Sequence, residues 1–309
     1  PAIQTSFNVH RSKVQEIQPG HALIIHKDGS VGEVMCRKPL ERKACSFERI
    51  YFSRGSDFEI YQERKTLGKL LVPDIMKAVN DDIENTVFSY IPNTAEVAFI
   101  GLTEEIQHRH FRHNLEAFQR GEINSTEELN KKISIMPRVE KIAVKDVKMR
   151  TFITEDSSRN DLVHHVYDVT YGLVKNNQDT LVVLDDSIVR GTTLKESILT
   201  MLDRLQPKRI IVVSSAPQIR YPDCYGIDMS KMGTFVAFQA AVNLWKKRNE
   251  YSFLEDLYKR CKIELEKPVE EMINLVKEVY QPFTAEEISI EIAAIVKPNH
   301  IFSDVQIHV

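Results

Sequence analysis

Apolar positions along this chain fall into short continuous runs separated by longer stretches with helical spacing. The opening stretch "HALIIHKDGSVGEVM" has an apolar run, an Asp28–Gly29 turn and a second apolar stretch, and predicts a β-hairpin. Two strands do not stand alone in water, so the hairpin reads as the edge of something larger. A charged, Pro-containing linker, "CRKPLERKAC", follows. "FERIYFSR" reads as a strand, and "EIYQERKTLGKLLVPDIMKAV" as helix broken at Pro73. "NTVFSYIP" reads as a strand ending at Pro92. "TEEIQHRHFRHNLEAFQRG" predicts a strong amphipathic helix, with Phe111, Leu115 and Phe118 on one face and Gly121 as its stop. "TEELNKKISIM" adds a short helix, and "LVVLDD" and "RIIVVSSAP" add two strands. These apolar runs lack alternation, which predicts strands buried on both faces in a mostly parallel sheet covered by helices. The tail from Tyr251 onward reads as mostly helical.

Composition narrows this α/β picture. The chain has 309 residues, 42% hydrophobic and 28% charged, enough for a real core in one large or two ordinary domains. A net charge of -3 gives no reason to expect broad attraction to nucleic acid or membrane. An anionic ligand must therefore meet a local cluster of positive charge and backbone N–H groups. No apolar run reaches membrane-spanning length, and no signal-peptide pattern opens the chain. Cys36, Cys45, Cys224 and Cys261 are scattered without a C-x-x-C pair and read as reduced thiols of a cytoplasmic protein.

The candidate chemistry lies in "LVVLDDSIVRGTTLKES", Leu181 to Ser197. Thr193-Leu194-Lys195-Glu196 has the form of a capping box, so a helix is expected to start at Thr193. Leu194, Ile198, Met201, Leu202 and Leu205 would form its apolar face. The loop of Ser187, Ile188, Val189, Arg190, Gly191, Thr192 and Thr193 then joins a strand's carboxyl end to a helix N-terminus, where ligands sit in open α/β sheets. Exposed N–H groups favour a phosphate there, and Gly191 allows close backbone approach. No Walker lysine and no G-x-G-x-x-G is present, so the common nucleotide-loop readings fail. Asp185 and Asp186 would repel a phosphate but accept hydrogen bonds from neutral hydroxyls beside it. A sugar phosphate offers that combination, and a divalent cation would relieve the Asp–Asp repulsion. Two aspartates alone would more often be an exposed pair before an ordinary loop. The whole string outweighs that bland reading.

The string resembles the 5-phosphoribosyl-1-diphosphate (PRPP) motif of type I phosphoribosyltransferases, and within that group it is similar to amidophosphoribosyltransferases. "CSFERIYFSR" with "YQERKTLGKLL", "RTFIT" with Arg159, and "IRYPDCYGIDM" resemble further segments of that family in the same order, over roughly residues 1–245. The resemblance implies a type I phosphoribosyltransferase fold: a central, mostly parallel sheet flanked by helices and preceded by a small β remnant. It implies residues 1–40 as the last strands of a truncated glutaminase domain, 41–245 as the transferase domain with a helical insert near 101–140, and 246–309 as a helical extension. The implied reaction forms 5-phosphoribosylamine from PRPP and ammonia, with Mg²⁺, in purine biosynthesis. Asp185 and Asp186 would fix the ribose hydroxyls and meet the metal, Ser187 to Thr193 would hold the 5′-phosphate, and Asn93, Thr94 and Ala95 would face the diphosphate. Lys145, Lys148 and Arg150 would lie in a closing loop as catalytic residues. Nucleotide monophosphate effectors and a homo-oligomer are implied as well.

The chain also departs from the family. The glutaminase nucleophile and most of its domain have no counterpart, so glutamine-dependent activity is not expected of this chain. Ala95 stands at a metal-associated serine position, and Glu96 at a basic one. A second basic pair falls on His164 and Val166. These differences leave an impaired PRPP- or nucleotide-binding regulatory paralogue as the alternative. A transferase acting on a nitrogenous base fits "YGIDM" less well. His108, His110 and His113 lie in the insert without the i, i+4 spacing of a helical metal site, and read as solvated or hydrogen-bonded histidines. Some family members carry an iron–sulfur cluster on four cysteines. Cys45 falls on one such position, Cys224 is displaced by one residue from another, and the C-terminal pair is missing. No cluster is therefore expected, and both are read as buried structural thiols.

Overall fold

The structure is a computed structural model that describes residues 6–40, 45–145, 167–222, 229 and 231–309. It divides into two compact units, Pro1–Gln62 and Glu63–Val309. In the first, β1 (His21–Ile25) pairs antiparallel with β2 (Val31–Met35), with Ile25 opposite Val31. Gly29 takes φ +83°, and Asp28 accepts hydrogen bonds from the backbone and hydroxyl of Ser30, so the expected turn is present. The stretch read as a strand from "FERIYFSR" is instead a π-helical turn, Glu48–Phe52. Winding it puts Phe47 and Tyr51 four residues apart in a ring stack with centroids at 5.3 Å, and Phe52 edge-on to both. Cys45 is half-buried, less enclosed than expected.

The second unit holds a five-stranded parallel sheet in the order β4–β3–β7–β8–β9. Its strands are β3 (Thr86–Tyr90), β4 (Arg138–Val139), β7 (Thr180–Asp185), β8 (Arg209–Ser214) and β9 (Asp304–His308). A separate antiparallel ribbon pairs β5 (Ala143–Lys145) with β6 (Tyr167–Val169). Side chains of β7 alternate between two cores: Leu181 and Val183 enter one, Val182 and Leu184 the other. Each such side chain contributes about 1.5–3 kcal/mol by leaving water. The expected α/β class, with a parallel sheet flanked by helices, is what the chain adopts.

Helices α1 (Phe58–Leu70) and α2 (Val72–Ala78) are separated at Leu71, with Pro73 in the first turn of α2, where its missing N–H costs nothing. The long α3 (Glu96–Gln119) crosses α1 at van der Waals distance. A Cβ on Gly68 would lie 1.7 Å from the Ala98 carbonyl oxygen, and one on Gly101 1.9 Å from that of Lys65. Two hydrogens where side chains would stand set this crossing.

The buried face of α3 is Ala98, Leu102, Ile106 and Ala117, while Phe111 and Leu115 are exposed, contrary to the apolar face expected. The helix docks on the sheet through its first three turns. Its later turns pack on α4 (Thr126–Ile133), where His110 Nε2 donates to the Lys132 carbonyl at 2.9 Å. Helix α5 (Leu199–Asp203) precedes β8, and α6 (Val236–Lys247), α7 (Tyr251–Glu264) and α8 (Ala285–Val296) follow it. The tail, expected as a mostly helical extension, also supplies a strand: β9 completes the sheet beside β8, and α8 packs into the core. Val305 and Ile307 alternate with polar neighbours, a period of two that only a strand can use. Among the described residues, no helix is long and apolar enough to cross a membrane.

Candidate functional site

The apolar run of β7 carries Asp185 to the carboxyl end of the sheet's central strand. The neighbouring strand holds both aspartates by their backbone. The Ser215 N–H donates to the Asp185 carbonyl at 3.0 Å, and the Ala216 N–H to that of Asp186 at 3.0 Å. The Ser215 hydroxyl also donates to the Asp186 carbonyl at 3.2 Å. The side chains are then fixed locally: the Asp186 N–H donates to Asp185 Oδ1 at 2.9 Å, and the Ser187 hydroxyl to Asp186 Oδ1 at 3.4 Å.

Both aspartates are half-buried at the surface of the sheet's end. Burial, and next the charge of Asp186, push the Asp185 carboxyl well above the usual carboxylate range. Burial also raises Asp186, against hydrogen bonds from the Ser187 backbone and the Thr94 hydroxyl. The pair is thus poised to take up a cation or hydroxyl donors that favour its ionised form.

The sequence reading missed Arg64. Its side chain, 7% exposed, extends from α1 and interacts electrostatically with Asp186. Burial lowers the guanidinium pKa, and the Asp186 charge opposes that shift. A signal existed: Ile60, Arg64 and Gly68 are the buried positions of α1 at i, i+4 and i+8, an arginine in an apolar register.

The loop after the aspartates is held from beneath. Ile188 is buried in the core, so only its backbone can meet a ligand. The Val189 carbonyl accepts from the Val236 N–H at 2.9 Å. Gly191 has φ +72°, and a Cβ there would lie 2.6 Å from Val296 Cγ1. Arg190, Thr192 and Thr193 are exposed. The capping box expected at Thr193 is absent. The helix opens at Thr192, and Thr193 is already helical at φ −59°, ψ −39°, so its hydroxyl makes no cap. A π-helical stretch, Leu194–Ile198, continues into α5. The Lys195 ammonium donates to the Ile295 carbonyl at 3.0 Å, tying this helix to the end of α8.

The loop after β3 lies alongside. The Ile91 N–H extends the ladder to the Leu184 carbonyl at 2.8 Å, and the Pro92–Asn93 peptide is cis. Asn93 is exposed, and Thr94 reaches Asp186. Ala95 is 1% exposed and points into the core. Glu96 accepts from the Tyr90 hydroxyl at 3.3 Å, and burial followed by the Glu96 charge raises the Tyr90 pKa.

Asp185, Asp186, Ser187 and Thr94 are thus brought together. Lys145 stands on the separate β5–β6 ribbon with its ammonium 5.8 Å from the Tyr167 ring centre. Lys148, Arg150, Arg159, His164, Val166 and Cys224 lie outside the described residues. Among the described residues no three His, Cys, Asp or Glu side chains gather as a metal cage. Two adjacent carboxylates nevertheless fit a Mg²⁺ that takes its remaining ligands from substrate oxygens and water.

No family model matches the chain. Amidophosphoribosyltransferase of Haemophilus influenzae is 27% identical over 231 residues, 73% of this chain and 40% of that protein. That of Bacillus subtilis is 29% identical over 234 residues, 74% of this chain and 41% of the relative. That of Saccharomyces cerevisiae is 26% identical over 269 residues, 83% and 47% respectively. A solved structure of the allosteric regulatory enzyme of purine biosynthesis aligns at TM-score 0.47 and 29% identity, covering 70% of this chain and 39% of its own. The chain is similar in sequence to amidophosphoribosyltransferases over most of its length, and spans less than half the length of these curated relatives.

Proposed function

We propose that this chain carries a phosphoribosyl-transfer site that forms 5-phosphoribosylamine from PRPP and ammonia. The observation that supports it most is the half-buried Asp185–Asp186 pair, at the end of the central strand and directly before the Gly191 loop. Asp185 and Asp186 accept hydrogen bonds from the ribose hydroxyls. Ser187 to Thr193 surround the 5′-phosphate with backbone N–H groups and hydroxyls. Asn93 and Thr94 face the diphosphate, and the charge of Arg64 balances that of Asp186. Lys145, at the end of β5, and Lys148 and Arg150, which follow it in sequence, supply positive charge to the leaving group.

The nitrogen lone pair of ammonia forms the bond to the ribose C1, the C1–oxygen bond breaks, and diphosphate leaves with its electron pair. The attacking nitrogen then loses a proton to solvent. Positive charge develops on the sugar ring in between, as in glycoside cleavage. No strong base is needed, because ammonia is already nucleophilic. The residues must orient the sugar, hold the leaving group and exclude water. Mg²⁺, bound at Asp185 and Asp186, would supply charge neutralisation for the diphosphate. Nucleotide monophosphates fit the same phosphate loop as effectors. A cytoplasmic homo-oligomer completes the reading.

Diphosphate release from PRPP with Mg²⁺ and ammonium at alkaline pH tests this. Release that disappears in Asp185→Asn/Asp186→Asn supports it. PRPP binding without release would favour the regulatory paralogue instead.

A further inference from the structure

The helix that opens at the phosphate loop brings no side-chain cap of its own. Gly191, just before it, has no side chain, and the Thr193 hydroxyl makes no cap. The placement of its first turn therefore depends on what packs against it. The tail of the chain packs there, through three ties that advance in step. The Lys195 ammonium donates to the Ile295 carbonyl at 3.0 Å, and the Thr200 hydroxyl and His300 Nε2 are hydrogen-bonded at 3.0 Å. The Ser303 N–H donates to Asp203 Oδ1 at 2.9 Å, and its hydroxyl joins the same carboxylate. Residues 295–303 thus lie along the whole helix, from the loop to the end of α5.

At the ligand end, two consecutive residues of α8 grip the glycine turn. The Gly191 carbonyl accepts from the Lys195 N–H at 2.9 Å, and the ammonium of that same lysine is held by the Ile295 carbonyl. A last-turn carbonyl has no partner within its helix and favours a cation, so Lys195 serves α8 and the loop at once. The next residue, Val296, is buried against Gly191: a Cβ on that glycine would meet Val296 Cγ1 at 2.6 Å and Val236 at 3.6 Å. α8 is itself fixed at its start. A capping box joins Thr284 and Glu287, and Gln218 donates to the Ala285 carbonyl at 2.8 Å and to Ser289 Oγ at 3.0 Å. One helix therefore reaches from the loop after β8, which holds the aspartates, to the phosphate loop.

We propose that Lys195 and Val296 are positioning residues for the 5′-phosphate, holding the Gly191 turn in the geometry that binds it. Both act through Gly191: the lysine fixes its carbonyl side and the valine its α-carbon. The proposal rests on the phosphoribosyl reading of this loop. Lys195 is exposed, so its removal leaves the core intact and acts on the loop. The loop after β3, which faces the diphosphate, has no part in these ties.

Calorimetric titration of ribose 5-phosphate and, separately, of Mg²⁺–diphosphate into the whole chain tests it. Lys195→Met should weaken ribose 5-phosphate about three- to fivefold and leave Mg²⁺–diphosphate unchanged, and Lys195→Arg should restore most of the loss. Val296→Ala should give the same split between the two ligands. A purely structural role would lower the melting temperature and weaken both ligands alike. Amide exchange across residues 187–198 of the ligand-free protein is a second readout. It should quicken in Lys195→Met and in Val296→Ala, with β3 unaffected. Unchanged ribose 5-phosphate affinity in both variants overturns the proposal, as does equal weakening of the two ligands. Wild type that binds neither ligand contradicts the phosphoribosyl reading instead. The exchange measurement then decides the role of the two residues alone, and unchanged exchange overturns it.

Discussion

The loops after β3 and β7 leave adjacent parallel strands in register, with Tyr90 opposite Leu184, yet they are built differently. The β7 loop concentrates site-forming features: two half-buried carboxylates, the Ser187 hydroxyl and a glycine at positive φ. The β3 loop gives the site one hydroxyl, that of Thr94. Its next residue, Ala95, fills the core, and Glu96 is engaged by Tyr90. Burial decides the contrast. A serine at position 95 would place its hydroxyl in the apolar cluster with Ala98, Phe99 and Leu184, so Ala95→Ser alone is not expected to rebuild a metal contact. The candidate site therefore depends on the β7 loop, with the β3 loop as a partial wall.

The comparison can be broken most severely at Gly191. Gly191→Val forces a branched side chain into positive φ and against Val296, and should cost about 2–4 kcal/mol of stability by chemical denaturation. Phosphoribosyl binding should fall with it. Next is Arg64→Ala, which removes the buried cation beside Asp186. A cost of about 1–3 kcal/mol and weaker PRPP affinity are expected, and Arg64→Lys should recover only part of either.

Thr94→Val deletes the hydroxyl that the β3 loop gives to Asp186. A loss of about fivefold in PRPP affinity, near 1 kcal/mol, is expected by calorimetry with little change in melting temperature. An effect as large as that of Gly191→Val would make the two loops equal partners.

The smallest effect is on the ligand-free protein. Both aspartates have folded-state pKa values raised above 3.8, so stability is lost as the pH rises from 3.8 through the folded values and the penalty is complete above them. Below 3.8 both states are protonated and the penalty vanishes. Asp185→Asn should therefore raise the melting temperature at pH 8 by about 2–4 °C and leave it nearly unchanged near pH 3.5. A variant less stable than wild type at pH 8 would show that Asp185 holds the fold together instead of straining it.

Much of this was legible in the chain because local signals agree with the tertiary outcome. The Asp28–Gly29 hairpin and the apolar run ending in two aspartates each carry their structure in consecutive residues. The misses arise where partners distant in sequence decide. Phe47 to Phe52 is a short apolar run of the kind that fits helix or strand, and the ring stack selects the helical turn. Arg64 meets Asp186 only because two glycines bring α1 against α3. The apparent capping box at Thr193 fails because Gly191 lets the helix begin earlier. The alternation in β9 was present but brief, and it followed a helical tail.

The central claim is that Asp185 and Asp186 hold the ribosyl group. Calorimetric titration of PRPP with Mg²⁺ into wild type and Asp185→Asn/Asp186→Asn tests it most directly. Loss of two charged hydrogen-bond acceptors should weaken binding by on the order of 100-fold or more, in a variant that still melts cooperatively. Unchanged affinity in the double variant would contradict the account.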